Sequence, residues 1–311
     1  MNAKRAGILF CAITVFSTAV TLFLGFAPGA DQITKPVLLV LSELIMILPC
    51  MTAFFLCREP FGQTFGIRKI HPATVPLCIV FTWTLLPLVS CFNIFTQYFT
   101  ENETTQIMEE LSEIPFPLLA LFTAVIAPIC EEWTFRGILY TGFRKNGSAL
   151  QAIVITAVLF GLFHMNLNQM LFATILGLFF AVLREVTGSI LPSVVCHMTV
   201  NGGTTLLQLF EPEDLSGMLE QSSQQITPQM ISDVLSLFIV VAALATPLAL
   251  GLLIKIAKTE KAVARFENIA TGRRTERGKV MGIPLIIGMV VCMIFVILDL
   301  MWPVIKAMIK Q

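Results

Sequence analysis

The chain is 311 residues long, 56% hydrophobic and only 13% charged, with a formal net charge of zero and a mean hydropathy of +0.84. That is more apolar surface than one water-soluble core can hide, so lipid must be the solvent. Apolar runs of about 20 residues recur, the length a helix needs to cross ~30 Å of hydrocarbon, whereas the ~10-residue alternation of a membrane barrel is absent.

The expected fold is therefore all-α: a polytopic transmembrane helical bundle of about eight or nine spans within one membrane domain, residues 1–311. The spans are 8–26, 36–57, 75–99, 115–143, 149–164, 168–183, 189–210, 230–254 and 281–303. The first follows Lys4 and Arg5 but is long for a signal peptide, lacks a small-x-small cleavage site and is followed by further spans, so it reads as a span. The second carries Glu43, which no motif supports. Residues 58–72, REPFGQTFGIRKIHP, alternate aromatic, glycine and basic residues, as in a segment lying at headgroup level. The eight cysteines lie in or beside apolar runs without CxxC spacing and read as small packing residues. Cys130 and Cys196 adjoin Glu131 and His197, but a Cys/His nucleophile is disfavoured.

Basic residues collect in alternate loops. Lys4 and Arg5, Arg58, Arg68 and Lys69, Arg144 and Lys145, Arg184, and the run from Lys255 to Lys279 share one side. The other side holds Lys35, Lys306, Lys310 and the acidic stretches Glu101 to Glu113 and Glu211 to Glu220. The positive-inside rule then predicts a multi-pass protein of the cell membrane with a cytoplasmic N-terminus, a cytoplasmic basic loop at 255–280 and an extracellular C-terminus. That basic loop reads as a solvated segment attracted to anionic lipid, not to nucleic acid. Asp299, near the outer end of the last span, is expected to reach water.

Ionisable side chains within hydrocarbon are costly, and each is a functional candidate. Span 115–143 holds Glu131, Glu132 and Arg136; span 149–164 ends with Phe160 and His164; span 189–210 holds His197 and Asn201. Spacings of four stack Glu132 under Arg136, Phe160 under His164 and His197 under Asn201. Glu131 is turned by about 100° from Glu132, so the arginine favours Glu132 and leaves Glu131 facing a polar cavity. A rise of ~1.5 Å per residue sets Glu131 ~20 Å, His164 ~24 Å, His197 ~14 Å and Asn201 ~20 Å from one membrane edge. A desolvated carboxylate can act as general base towards water, a histidine can hold that water, and a histidine with an asparagine can stabilise an oxyanion. Such a set suits hydrolysis of an amide without a covalent intermediate.

The sequences EEWTFR, FGLFH and HMTVN fit EExxxR, FxxxH and HxxxN. In this order on apolar helices, the chain resembles the CPBP family, also called Abi, which holds type II CAAX prenyl proteases and bacteriocin-processing or self-immunity proteins. The resemblance covers residues 115–210. It implies an intramembrane glutamic endopeptidase acting on a membrane-associated protein or peptide. Glu131 would be the base and His164 the water ligand, His197 and Asn201 the oxyanion site, and Glu132 and Arg136 the organising pair. It implies no cofactor, with zinc at Glu131, His164 and His197 as the alternative. A non-catalytic immunity or partner-binding protein of the same fold is the competing function. A proton-coupled transporter is disfavoured, because there is no repeat and no paired broken helix.

Overall fold

The computed structural model describes all residues except 30, 31, 59, 101, 103–105, 108–110, 112, 208–226, 272–278, 310 and 311. The expected acidic stretch 211–220, the last residues of span 189–210, part of the basic loop and Lys310 thus lie outside the described residues. In chain order the helices are α1 (Ala3–Phe26), α2 (Lys35–Cys57), α3 (Phe61–Phe65), α4 (Thr74–Thr96) and α5 (Phe116–Asn146). These are followed by α6 (Ala149–Phe163), α7 (Leu167–Thr187), α8 (Leu191–Leu207), α9 (Pro228–Thr259), α10 (Val263–Thr271) and α11 (Ile283–Ile309). No strand occurs among the described residues.

Seven of these helices, α1, α2, α4, α5, α7, α9 and α11, are long and apolar enough to cross a membrane. The other two expected spans are not among them. Helix α6 has 15 residues, or ~22 Å of rise against ~30 Å of hydrocarbon, and α8 is described over 17 residues, up to Leu207, where the described residues stop. Both bear functional candidates.

Local signals explain the boundaries. Ser148 opens α6 with a capping box completed by Gln151, Asn166 caps α7 by accepting from the Gln169 N–H at 2.7 Å, and Gly188 ends α7 in the left-handed region at φ 72°. Two apolar clusters then assemble. One joins α1, α2, α5, α6 and α11 around Phe10, Phe135 and Phe143, and the other joins α4, α7, α8 and α9 around Phe81, Phe180 and Ile256.

Loops sharing a charge character also share a face. The Ala3 N–H donates to Asn146 Oδ1 at 2.9 Å, Ser189 Oγ to the Arg68 carbonyl at 2.8 Å, and the His71 N–H to Glu260 at 2.8 Å. At the other end Lys35 pairs with Glu113 at 3.1 Å. There too the Leu167 N–H donates to Asp299 at 3.3 Å, so Asp299 is tied to the start of α7.

Two connections depart from expectation. Within 58–72, Phe61 is half-exposed but Phe65 is fully buried, its ring 5.1 Å from Phe54 and 5.3 Å from Trp133. The slot exists because Gly137 has no side chain: a Cβ there would stand 3.0 Å from the Phe65 ring. The segment is fastened by Thr141 Oγ1 donating to the Thr64 carbonyl at 2.9 Å and by the Ile190 N–H donating to the Gly66 carbonyl at 3.1 Å. The basic loop is likewise not wholly solvated. Ala262, Phe266 and Ile269 recur at helical spacing, and that stripe packs α10 onto Val186 of α7.

Candidate active site

Helix α5 is not a regular α-helix. Two π-helical turns, Leu121–Ile126 and Trp133–Leu139, flank a six-residue α stretch, Ala127–Glu132, that carries both glutamates. Such turns re-aim side chains and cluster at functional sites.

Glu132 and Arg136 are both fully buried and paired at 2.9 Å, as the four-residue spacing predicts. The guanidinium lies at the seam between the two apolar clusters, 4.3 Å from the Phe160 ring centre and 5.4 Å from that of Phe180. Its Nε and Nη2 have no hydrogen-bond partner among the described residues, and the aromatic faces complete its electrostatic surroundings. Gly177 makes the room, since a Cβ at that position would sit 2.9 Å from Nη2.

Glu131 points elsewhere. With His164, His197, Asn201 and Thr123 it lines a cavity of about 160 Å³ whose apolar wall includes Phe160, Phe172 and Leu176. The His197 ring lies between the two carboxylates, Nδ1 at 3.1 Å from Glu132 Oε1 and Nε2 at 3.6 Å from Glu131 Oε2. Thus it bridges the buried pair and the cavity. His164 places Nδ1 at 2.9 Å from the Phe160 carbonyl. A carbonyl only accepts, so Nδ1 carries the proton and Nε2 of the neutral ring is an acceptor. Asn201 donates one amide N–H to the Thr123 carbonyl at 3.0 Å, and its own main-chain carbonyl accepts from the Thr205 hydroxyl at 2.8 Å.

All six candidates therefore meet, four on the cavity and Glu132 with Arg136 behind it. Sequence reasoning left Phe160, Gly177 and Thr123 without roles. Phe160 is a hub, packing edge-on to His164 at 5.1 Å and to His197 at 5.7 Å while lying under Arg136. Its place in FxxxH was the available signal. Gly177 and Thr123 carried none, because their contacts run to other helices. Glu43, set aside for want of a motif, lies on α2, which packs on the α stretch of α5. One of its carboxylate oxygens is buried without a partner, and the Cys130 thiol is its neighbour.

Among the described residues no three His, Cys, Asp or Glu side chains converge as a metal ion would require. His164 turns Nδ1 to the Phe160 carbonyl and His197 turns Nδ1 to Glu132, so in each ring Nε2 is the nitrogen left outside those contacts. What the arrangement offers a water is an acceptor imidazole and a carboxylate lining one cavity, with the Asn201 side chain in the same wall.

A family model described as Type II CAAX prenyl endopeptidase Rce1-like matches residues 113–203. Over 125 residues the chain is 30% identical to a Bacillus subtilis protein named "Putative membrane peptidase YdiL", a stretch covering 40% of this chain and 50% of that protein. The aligned region thus spans half the length of that curated relative. Over 205 residues it is 22% identical to the membrane-embedded CAAX protease MroQ of Staphylococcus aureus, covering 62% of this chain and 82% of that protein. No solved structure matches.

Proposed function

We propose that this chain, whose residues 113–203 match the Rce1-like family model, is an intramembrane endopeptidase of the CPBP family in which Glu131 activates water. The observation that carries this reading is the shared cavity of Glu131, His164, His197 and Asn201, with Glu132 excluded from it.

In the proposed reaction a water sits between Glu131 and Nε2 of His164. Glu131 takes its proton as the oxygen attacks the peptide carbonyl carbon, and later delivers that proton to the leaving amine. The second amide N–H of Asn201, the one not given to Thr123, stabilises the oxyanion. Nε2 of His197 does the same when the ring carries both protons. Glu132 and Arg136 hold His197 and the α stretch in register. No metal takes part in any step. Residues 115–210 form the catalytic core, and the face bearing the N-terminus and the basic loop is cytoplasmic, with anionic lipid at its basic residues. The substrate is a membrane-associated peptide or protein, such as a CAAX-type protein, a leader or a bacteriocin.

The test compares membrane and secreted peptide pools from cells making the wild-type chain or Glu131→Ala, together with cleavage of the differing peptides by purified protein in proteoliposomes. Peptides that accumulate uncut only with Glu131→Ala support the reading; identical pools and equal cleavage contradict it.

A further inference from the structure

The Thr123 carbonyl lacks both main-chain donors that a helix could offer. In an α-helix a carbonyl accepts from the N–H four residues on, and in a π turn from the N–H five residues on. For Thr123 those residues are Ala127 and Pro128. The Ala127 N–H is directed to the Phe122 carbonyl, and Pro128 has no N–H. A proline ring inside a helix also presses on the carbonyl four residues back. Here that carbonyl belongs to Ala124, inside the widened turn Leu121–Ile126. A carbonyl facing a membrane interior cannot be left without a partner cheaply. Its partner is Asn201 Nδ2, at 3.0 Å.

We propose that Pro128 is a positioning residue of the site: it leaves the Thr123 carbonyl as an anchor, and that anchor turns Asn201 so that its other amide N–H enters the cavity. The inference rests on the endopeptidase reading for its catalytic half and on geometry alone for the anchor. Further contacts hold the same pair of helices together. The Thr123 and Thr205 hydroxyls meet at 2.9 Å, and Thr205 Oγ1 also lies 2.8 Å from the Asn201 main-chain carbonyl. Pro128 stands three residues before Glu131 on one α stretch, so the same turn sets the register of the base. An uninterrupted α-helix would shift Glu131 and the residues after it by about one position, or ~100°.

The test is a double-mutant cycle of Pro128→Ala and Asn201→Ala on the full chain in proteoliposomes, read by melting temperature and by peptide hydrolysis. Pro128→Ala restores a main-chain N–H five residues after Thr123, so the Thr123 carbonyl gains a donor within the same π turn and the register of Glu131 is kept. The expected result is a kcat about tenfold lower with KM within about threefold, because one oxyanion donor is misaimed rather than removed. The melting-temperature loss caused by Asn201→Ala should shrink by about half or more in the Pro128→Ala background, since the carbonyl then has another donor. Pro128→Ser supplies the same N–H if the alanine variant does not fold. Strict additivity in melting temperature overturns the anchor, and an unchanged kcat in Pro128→Ala overturns the positioning role. If no variant, wild type included, cleaves any peptide, the endopeptidase reading and the catalytic half fall with it, while the melting cycle still decides the anchor.

Discussion

Glu131 and Glu132 are adjacent in sequence, on one short α stretch of one helix, and their surroundings differ in kind. Glu132 is sealed between two apolar clusters, with a guanidinium at 2.9 Å and an imidazole nitrogen at 3.1 Å. Glu131 opens onto a cavity, and its nearest cation-forming group is the other nitrogen of that imidazole, at 3.6 Å. Helix phase alone separates the two. The difference teaches that a paired motif can divide between holding a fold and presenting a reactive group, with His197 touching both halves. Removing a partner on the buried side leaves a charge that lipid and apolar rings cannot solvate; a change on the cavity side leaves a group that water can reach.

The largest expected effect on the buried side comes from Arg136→Ala. It should lower stability by about 3–5 kcal/mol, the cost of orphaning a buried carboxylate, read as a lost or sharply lowered thermal transition in detergent. Phe65→Ala should cost about 2–3 kcal/mol, because the packing and cavity terms survive in a bilayer even though transfer from water does not. A null result would mean that residues 58–72 do not brace Trp133. Gly177→Ala places a methyl group 2.9 Å from a guanidinium nitrogen that its ion pair holds in place. It should cost about 1–2 kcal/mol by overpacking, and an unchanged melting curve would show that Arg136 can shift within its seam. On the cavity side, the smallest expected effect is that of a chelator. Treatment with 1,10-phenanthroline should leave peptide hydrolysis within about twofold, because no step of the proposed reaction needs a Lewis acid; abolition restored by zinc would return metal to Glu131, His164 and His197.

Much of this arrangement was legible in the residues. Hydropathy marked the helices, and the four-residue spacing from Glu132 to Arg136 and the phase difference to Glu131 separated the two carboxylates. The π turns were not legible. The first, Leu121–Ile126, lies just before Pro128 and packs on α8, and no periodicity in the sequence records either turn. The burial of Phe65 was missed because its slot is an absence, the missing side chain of Gly137 from a distant part of the chain. The Asp299 contact with the start of α7 was likewise hidden, since a carboxylate near a span end looks the same whether it meets water or a backbone N–H.

The most direct test sets Glu131→Gln beside Glu132→Gln in one proteoliposome preparation, reading melting temperature and peptide cleavage on the same samples. The account predicts that Glu131→Gln loses cleavage by about 10²-fold or more with its melting temperature near that of the wild type, while Glu132→Gln loses both. Cleavage preserved in Glu131→Gln, or equal melting losses in the two variants, would contradict it.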